Sequence, residues 1–157
     1  MTEVQWLIGF HVLGAFLFVS GAAAVGALHA LATRREKPSE VAYLLGLTRP
    51  AVAVVGAGGL MTLGLGAWLV DYEGWDWGDG WISAALLLWI ASIALGGIGG
   101  RSARHTRYLA ERLAAEGDRP SEELRRQLAD PVAQALNYAS FLAVVAVLAL
   151  MIWKPGA

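Results

Sequence analysis

The stretch Asp71-Tyr72-Glu73-Gly74-Trp75-Asp76-Trp77-Gly78-Asp79-Gly80 holds four acids and no base. Nearly every base lies in two other connections, and the four long apolar runs between connections contain no acid. A polytopic membrane protein produces this partition when its basic connections stay in the cytoplasm. The pattern predicts an all-α fold, a membrane four-helix bundle built as a single integral membrane domain over residues 1–157.

Composition points the same way. The chain has 157 residues, 57% hydrophobic and only 16% charged, where a soluble domain carries about a quarter charged residues. A net charge of −1 makes no case for a nucleic-acid partner. The absence of cysteine removes disulfides, thiolate metal sites and cysteine nucleophiles. Three methionines (Met1, Met61 and Met151) are too few for a Met-rich copper path. The first base is Arg34, and the apolar run before it is too long for the core of a signal peptide. It reads as a retained first span.

The spans are expected at about residues 6–32, 50–70, 81–100 and 135–153. Each can cover the roughly 20 residues that a helix needs to cross the hydrocarbon. The residues from Pro38 to Thr48 read as an interfacial helical lead-in to the second span, with Ser39 as its N-cap. Arg34, Arg35 and Lys37 occupy the first connection, with Arg49 close behind. Arg101, Arg104, Arg107, Arg112, Arg119, Arg125 and Arg126 occupy the third, and the second has no base. The expectation is a multi-pass protein of the bacterial cytoplasmic membrane with both termini outside. Trp75, Trp77 and Trp81, with Trp6, Trp68 and Trp153, then form an outer aromatic belt.

The third connection reads as a cytoplasmic helical hairpin. Residues 101–115 extend the third span, with Leu109 and Leu113 one turn apart. Gly117-Asp118-Arg119-Pro120 breaks the helix, Ser121 caps a short second one, and Asp130-Pro131 starts the last span. Besides the lipid bilayer itself, anionic lipids are the partner expected at its arginines.

Small residues are dense in the spans: Gly14, Ser20, Gly21, Ala22 and Gly26, then Gly56, Gly58, Gly59, Gly64 and Gly66, then Gly96-Gly97-Ile98-Gly99-Gly100. Such faces let helix backbones approach in lipid. They predict a tight bundle, and they also suit a slot for a flat cofactor or a homodimer seam.

His11 is the first candidate site residue, because an ionisable group inside a span is a functional hypothesis by default. The plainer reading is a neutral imidazole bonded to a backbone carbonyl, to Asn137 or to Tyr138. His29 shares its helix face but lies roughly 27 Å along the axis, too far to ligate the same metal. It reads as interfacial, and His105 as solvent-exposed. Arg49 reads either as a cation snorkelling to the headgroups or as an anion clamp for a propionate, a lipid phosphate or a quinone oxygen. No serine–histidine–acid set, intramembrane carboxylate pair or phosphate loop can be assembled, so the reading leans away from an enzyme and leaves the question open.

Several motifs carry a resemblance. His11-Val12-Leu13-Gly14-Ala15 opens the first span, Arg49-Pro50-Ala51 opens the second and leads to Leu63-Gly64-Leu65-Gly66, and Gly80-Trp81-Ile82 opens the third. This layout resembles an uncharacterised bacterial family of predicted four-span integral membrane proteins. It is distantly similar to the membrane domain of copper-resistance CopD proteins and to HemJ-type protoporphyrinogen oxidase. The resemblance implies that His11 corresponds to a haem-iron ligand. Those oxidases carry a lysine as second axial ligand, where this chain has Ser83-Ala84-Ala85. The haem b so implied is held on His11 alone, with Arg49 available for a propionate.

Three functions are weighed. The first is a small structural or accessory membrane protein of unknown substrate. The second is a haem- or quinone-linked redox protein using His11. The third is a metal or small-solute permease with an acidic outer vestibule.

Overall fold

A computed structural model describes residues 2–155; residues 1, 156 and 157 of the expected domain lie outside the described residues. Six helices follow in order: α1 (Glu3–Ala32), α2 (Pro38–Gly46), α3 (Thr48–Glu73), α4 (Gly80–Ala115), α5 (Glu122–Leu128) and α6 (Pro131–Trp153). No strand occurs among the described residues. α1, the α2–α3 unit, α4 and the α5–α6 unit are long and apolar enough to cross a membrane. The all-α membrane bundle and its helical hairpin are therefore as the sequence predicts.

Local chemistry sets the ends. The Thr2 hydroxyl accepts from the Gln5 amide, and the Gln5 side chain accepts from the Thr2 amide. This reciprocal box satisfies two otherwise orphan donors. Ser121 caps α5 through the Leu124 amide, and Asp130 caps α6 through the Val132 amide, as expected from sequence. α3 begins at Thr48, two residues before the expected Pro50. First-turn amides have no helical partner, so proline fits there. The same proline cannot donate to the Gly46 carbonyl and would clash with it, which breaks α2 from α3 at Leu47.

Within the apolar layer the bundle is two antiparallel pairs, α1 with α3 and α4 with α6, with slight contact between them. The pairs are joined at their ends. At the basic end, Ala32 of α1, Val41 and Leu45 of α2, Leu109 and Ala110 of α4, and Leu124 and Leu128 of α5 form one buried cluster. At the acidic end, Val70 of α3 meets Trp81 and Ile82 of α4, with Trp75, Leu86 and Met151 packed around them. Trp81 is only 3% exposed, so it is a core residue and not part of the expected belt. Trp6, Trp68, Trp77 and Trp153 are exposed.

Ser39 does not cap α2. Pro38 occupies the first helical position, so Lys37 is the N-cap residue, and its ammonium has no acceptor with which to make a side-chain cap. The cap comes from across the hairpin. The Asp118 carboxylate accepts from the Ser39 amide at 2.8 Å and from its hydroxyl at 2.6 Å. Asp118 reaches it from a left-handed backbone (φ 54°) just after Gly117. An anion at a helix N-terminus satisfies free amides and meets the positive end of the helix dipole.

The Ser39 hydrogen bonds hold the Asp118 carboxyl below its ordinary value of 3.8, with lesser help from Lys37. A depressed carboxylate pKa contributes stability above the unfolded pKa and loses it as pH falls through the folded one. Amide exchange at Ser39 is therefore expected to be protected at pH 7 and to speed up, after correction for intrinsic rates, once pH drops below the ordinary aspartate range. Asp118→Ala, which removes the acceptor, should lose that protection at pH 7. Equal protection in both proteins would refute the trans cap.

Candidate functional site

The seam between α1 and α3 is built from backbone. Glycine at 14, 21 and 58 has no Cβ to hold the helices apart. A Cβ at Gly14 would stand 2.9 Å from the Thr62 amide nitrogen, one at Gly21 3.1 Å from the Ala51 carbonyl, and one at Gly58 2.5 Å from the Phe18 nitrogen. These glycines are thus spent on packing inside the chain.

His11 sits in that seam. Its Nδ1 lies 3.0 Å from the Thr62 carbonyl oxygen. A carbonyl only accepts, so Nδ1 carries the proton and donates it. Gly66 makes room for the ring, since a Cβ there would be 2.9 Å from Cε1 of His11. Thr62 turns its own hydroxyl back to the Gly58 carbonyl at 2.8 Å. Of the partners weighed from sequence, the backbone carbonyl is the one observed. Asn137 instead packs against Gly99 in the other helix pair, and the Tyr138 side chain is exposed.

The second pair has a matching bond. Ser140 Oγ of α6 donates to the Ser92 carbonyl of α4 at 2.8 Å, beside Gly96. Ser92 is buried and donates its hydroxyl to the Trp89 carbonyl at 2.7 Å. Trp89 reaches toward Gly59 and Phe18 lies over the same glycine, so these residues help to bridge the pairs, beside the direct contact of α1 with α6.

The other candidates are dispersed. Arg49 is exposed in the first turn of α3 and makes no ion pair among the described residues. It lies 13 residues before Thr62, roughly 20 Å along the helix axis. The structure does not bring Arg49 and His11 together. His29 is half-buried, with its ring against the Leu128 backbone and its Nε2 buried without a hydrogen-bond partner. It is therefore packed under the hairpin. His105 is exposed, as expected.

Arg107 departs from its exposed arginine neighbours. It is 4% exposed, bonds Glu111 at 3.0 Å and stacks on Tyr108. The signal for it in sequence is the Arg–Glu pair one turn apart beside the buried stripe Thr106, Leu109 and Ala110. Among the described residues, no three His, Cys, Asp or Glu side chains gather as metal ligands. Two shallow grooves lie at the basic end, one against Arg35, Ser39 and Tyr43 and the other against His105, Tyr108 and Gln127. Neither borders His11.

The chain belongs to the predicted integral membrane protein family DUF2269, whose family model matches residues 5–155. No curated protein and no solved structure matches it, so the likeness to CopD and HemJ-type proteins gains no support from those comparisons.

Proposed function

We propose that the protein is a structural or accessory component of the bacterial cytoplasmic membrane, with no reaction of its own. The observation that carries this reading is His11. This ionisable side chain within the first span is engaged in helix pairing, against the Thr62 carbonyl and the face of Gly66. The charge partition supports a cytoplasmic basic end and outer termini. Because the chain has no cysteine, single-cysteine variants report topology cleanly. Gly78→Cys should react with an impermeant maleimide in intact cells, and Glu123→Cys only after permeabilisation. The reverse pattern would invert the topology.

Anionic lipids fit the basic end. Arg49, Arg101 and Arg104 are exposed without carboxylate partners among the described residues, next to the apolar layer. A homodimer seam would draw on Gly56 and Gly64 of α3, which have open space in front of them.

One observation favours the redox reading as the alternative. Donation from Nδ1 leaves Nε2 of neutral His11 with its lone pair, and Nε2 makes no hydrogen bond among the described residues. Metal-bound histidines commonly donate their other nitrogen to a backbone carbonyl in this way. His11 could thus hold a haem through Nε2 alone; the group would supply one-electron chemistry, and Arg49 is too distant to form one compact site with it. An absorption spectrum of protein from haem-replete cells decides between the readings. The accessory reading expects no Soret band, and a His11→Ala variant weakened by roughly 0.6–2 kcal/mol, the worth of an interhelical hydrogen bond in a bilayer. A Soret band that disappears in His11→Ala overturns it.

A further inference from the structure

The acidic connection contains four carboxylates, yet the one lysine near it pairs with none of them among the described residues. Asp71 accepts instead from the Trp77 indole N–H at 2.9 Å, and Asp76 from the Gly78 amide at 2.7 Å. Lys154 goes elsewhere. Its Nζ lies 4.1 Å from the ring centre of Trp75 and 5.7 Å from that of Trp81. Both distances are within the roughly 6 Å over which an indole face attracts a cation.

Each wall of the cage is held by contacts of its own. The Trp75 and Trp81 rings stand at 79° with centres 5.2 Å apart, so two π faces meet at a corner. Trp81 is locked among Val70, Ile82 and Met151, and its Nε1 is buried without a hydrogen-bond partner. Trp75 is positioned by Gly74, whose left-handed backbone (φ 71°) ends α3, and its amide donates to the Val70 carbonyl at 3.1 Å. The occupant comes from the far end of the chain, with its amide donating to the Leu150 carbonyl at 2.9 Å. Lys154 follows the last residue of α6 in a left-handed conformation (φ 36°), which a lysine adopts reluctantly.

We propose that the Trp75–Trp81 corner is a binding site for alkylammonium groups, and that Lys154 fills it as an internal competitor. Two indole faces attract a cation by their quadrupoles and give a methylated ammonium apolar contact as well. The neighbouring carboxylates raise the local cation concentration without claiming the ligand. A tethered lysine at high effective concentration keeps the site closed to weak cations. The inference stands apart from both the accessory and the redox readings.

Tetramethylammonium is the probe, titrated calorimetrically into detergent-solubilised protein at constant ionic strength set by sodium chloride. Lys154→Ala should bind it at least tenfold more tightly than the unaltered protein, and Lys154→Arg should not gain affinity. Lys154→Ala combined with Trp75→Leu should lose the gain while eluting as the same monodisperse species. Nanodiscs then distinguish the source of the ligand. If a choline lipid headgroup reaches the corner, phosphatidylcholine discs should weaken tetramethylammonium binding to Lys154→Ala relative to phosphatidylglycerol discs. If the ligand is a free solute, the two discs should give the same affinity. Equal affinity of Lys154→Ala and the unaltered protein, or no binding by either, overturns the proposal.

Discussion

Gly58→Val is expected to split α1 from α3 and to abolish a monodisperse folded protein. The new Cβ would stand 2.5 Å from the Phe18 nitrogen, 2.7 Å from the Gly14 carbonyl oxygen and 2.9 Å from Cβ of Leu17. None of these can swing aside, because all are backbone or fixed to it. Relief requires the helices to separate along the seam that also contains Gly14, Gly21 and the His11–Thr62 bond. Overpacking costs roughly 1–3 kcal/mol and occasionally more, and a clash with rigid atoms belongs at the top of that range or beyond. In lipid, no water-driven burial offsets the loss of close packing. Gly56→Ala and Gly64→Ala are the matched controls on the same helix, since nothing lies within 4 Å of a Cβ at either position. In monomeric, detergent-solubilised protein they should melt within a few degrees of the unaltered chain. A thermal melt followed by tryptophan fluorescence reads all three. Gly58→Val melting alongside the controls would sink this account of the seam.

The contrast between Gly58 and Gly56 marks where sequence reading stops. Charge partition and run length are enough to predict the four spans, and local signals give the hairpin and the Ser121 and Asp130 caps, while the Thr2 box goes unread and Ser39 is misassigned. Which glycines face a neighbour depends on helix rotation, and α1 carries apolar residues all round, so no polar face reports it. The pairing into α1–α3 and α4–α6 is hidden for the same reason. A backbone carbonyl is an equally silent partner. His11 stands out as a candidate, but the Thr62 oxygen that engages it belongs to every residue alike. The trans cap from Asp118 is missed because its partner lies 79 positions away. Lys154 is similarly obscured, since a lone cation near a helix end reads as a topology marker until the tryptophans are found around it.

Leu45→Ala is expected to produce the largest stability loss of any truncation at the basic end, about 2–5 kcal/mol by analogy with buried leucines elsewhere. Leu45 is 1% exposed and sits in the cluster that joins α1, α2, α4 and α5. On the proposed topology the cluster stands on the cytoplasmic side, where Arg112 and Glu123 border Leu109, so its alternative to burial is water. The hydrophobic effect therefore operates here at full strength, as it does not between helices immersed in lipid. It follows that denaturants should act unevenly. Urea, which solvates apolar surface from the aqueous side, should open the basic-end cluster before it separates either helix pair. Hydrogen exchange read by mass spectrometry checks this directly. In moderate urea, Leu45→Ala should lose protection in α2 and α5 while the α1–α3 seam around Gly58 stays protected. Simultaneous loss across both regions would show that the cluster and the seam unfold as one unit, and that the two pairs depend on each other more than their slight contact implies.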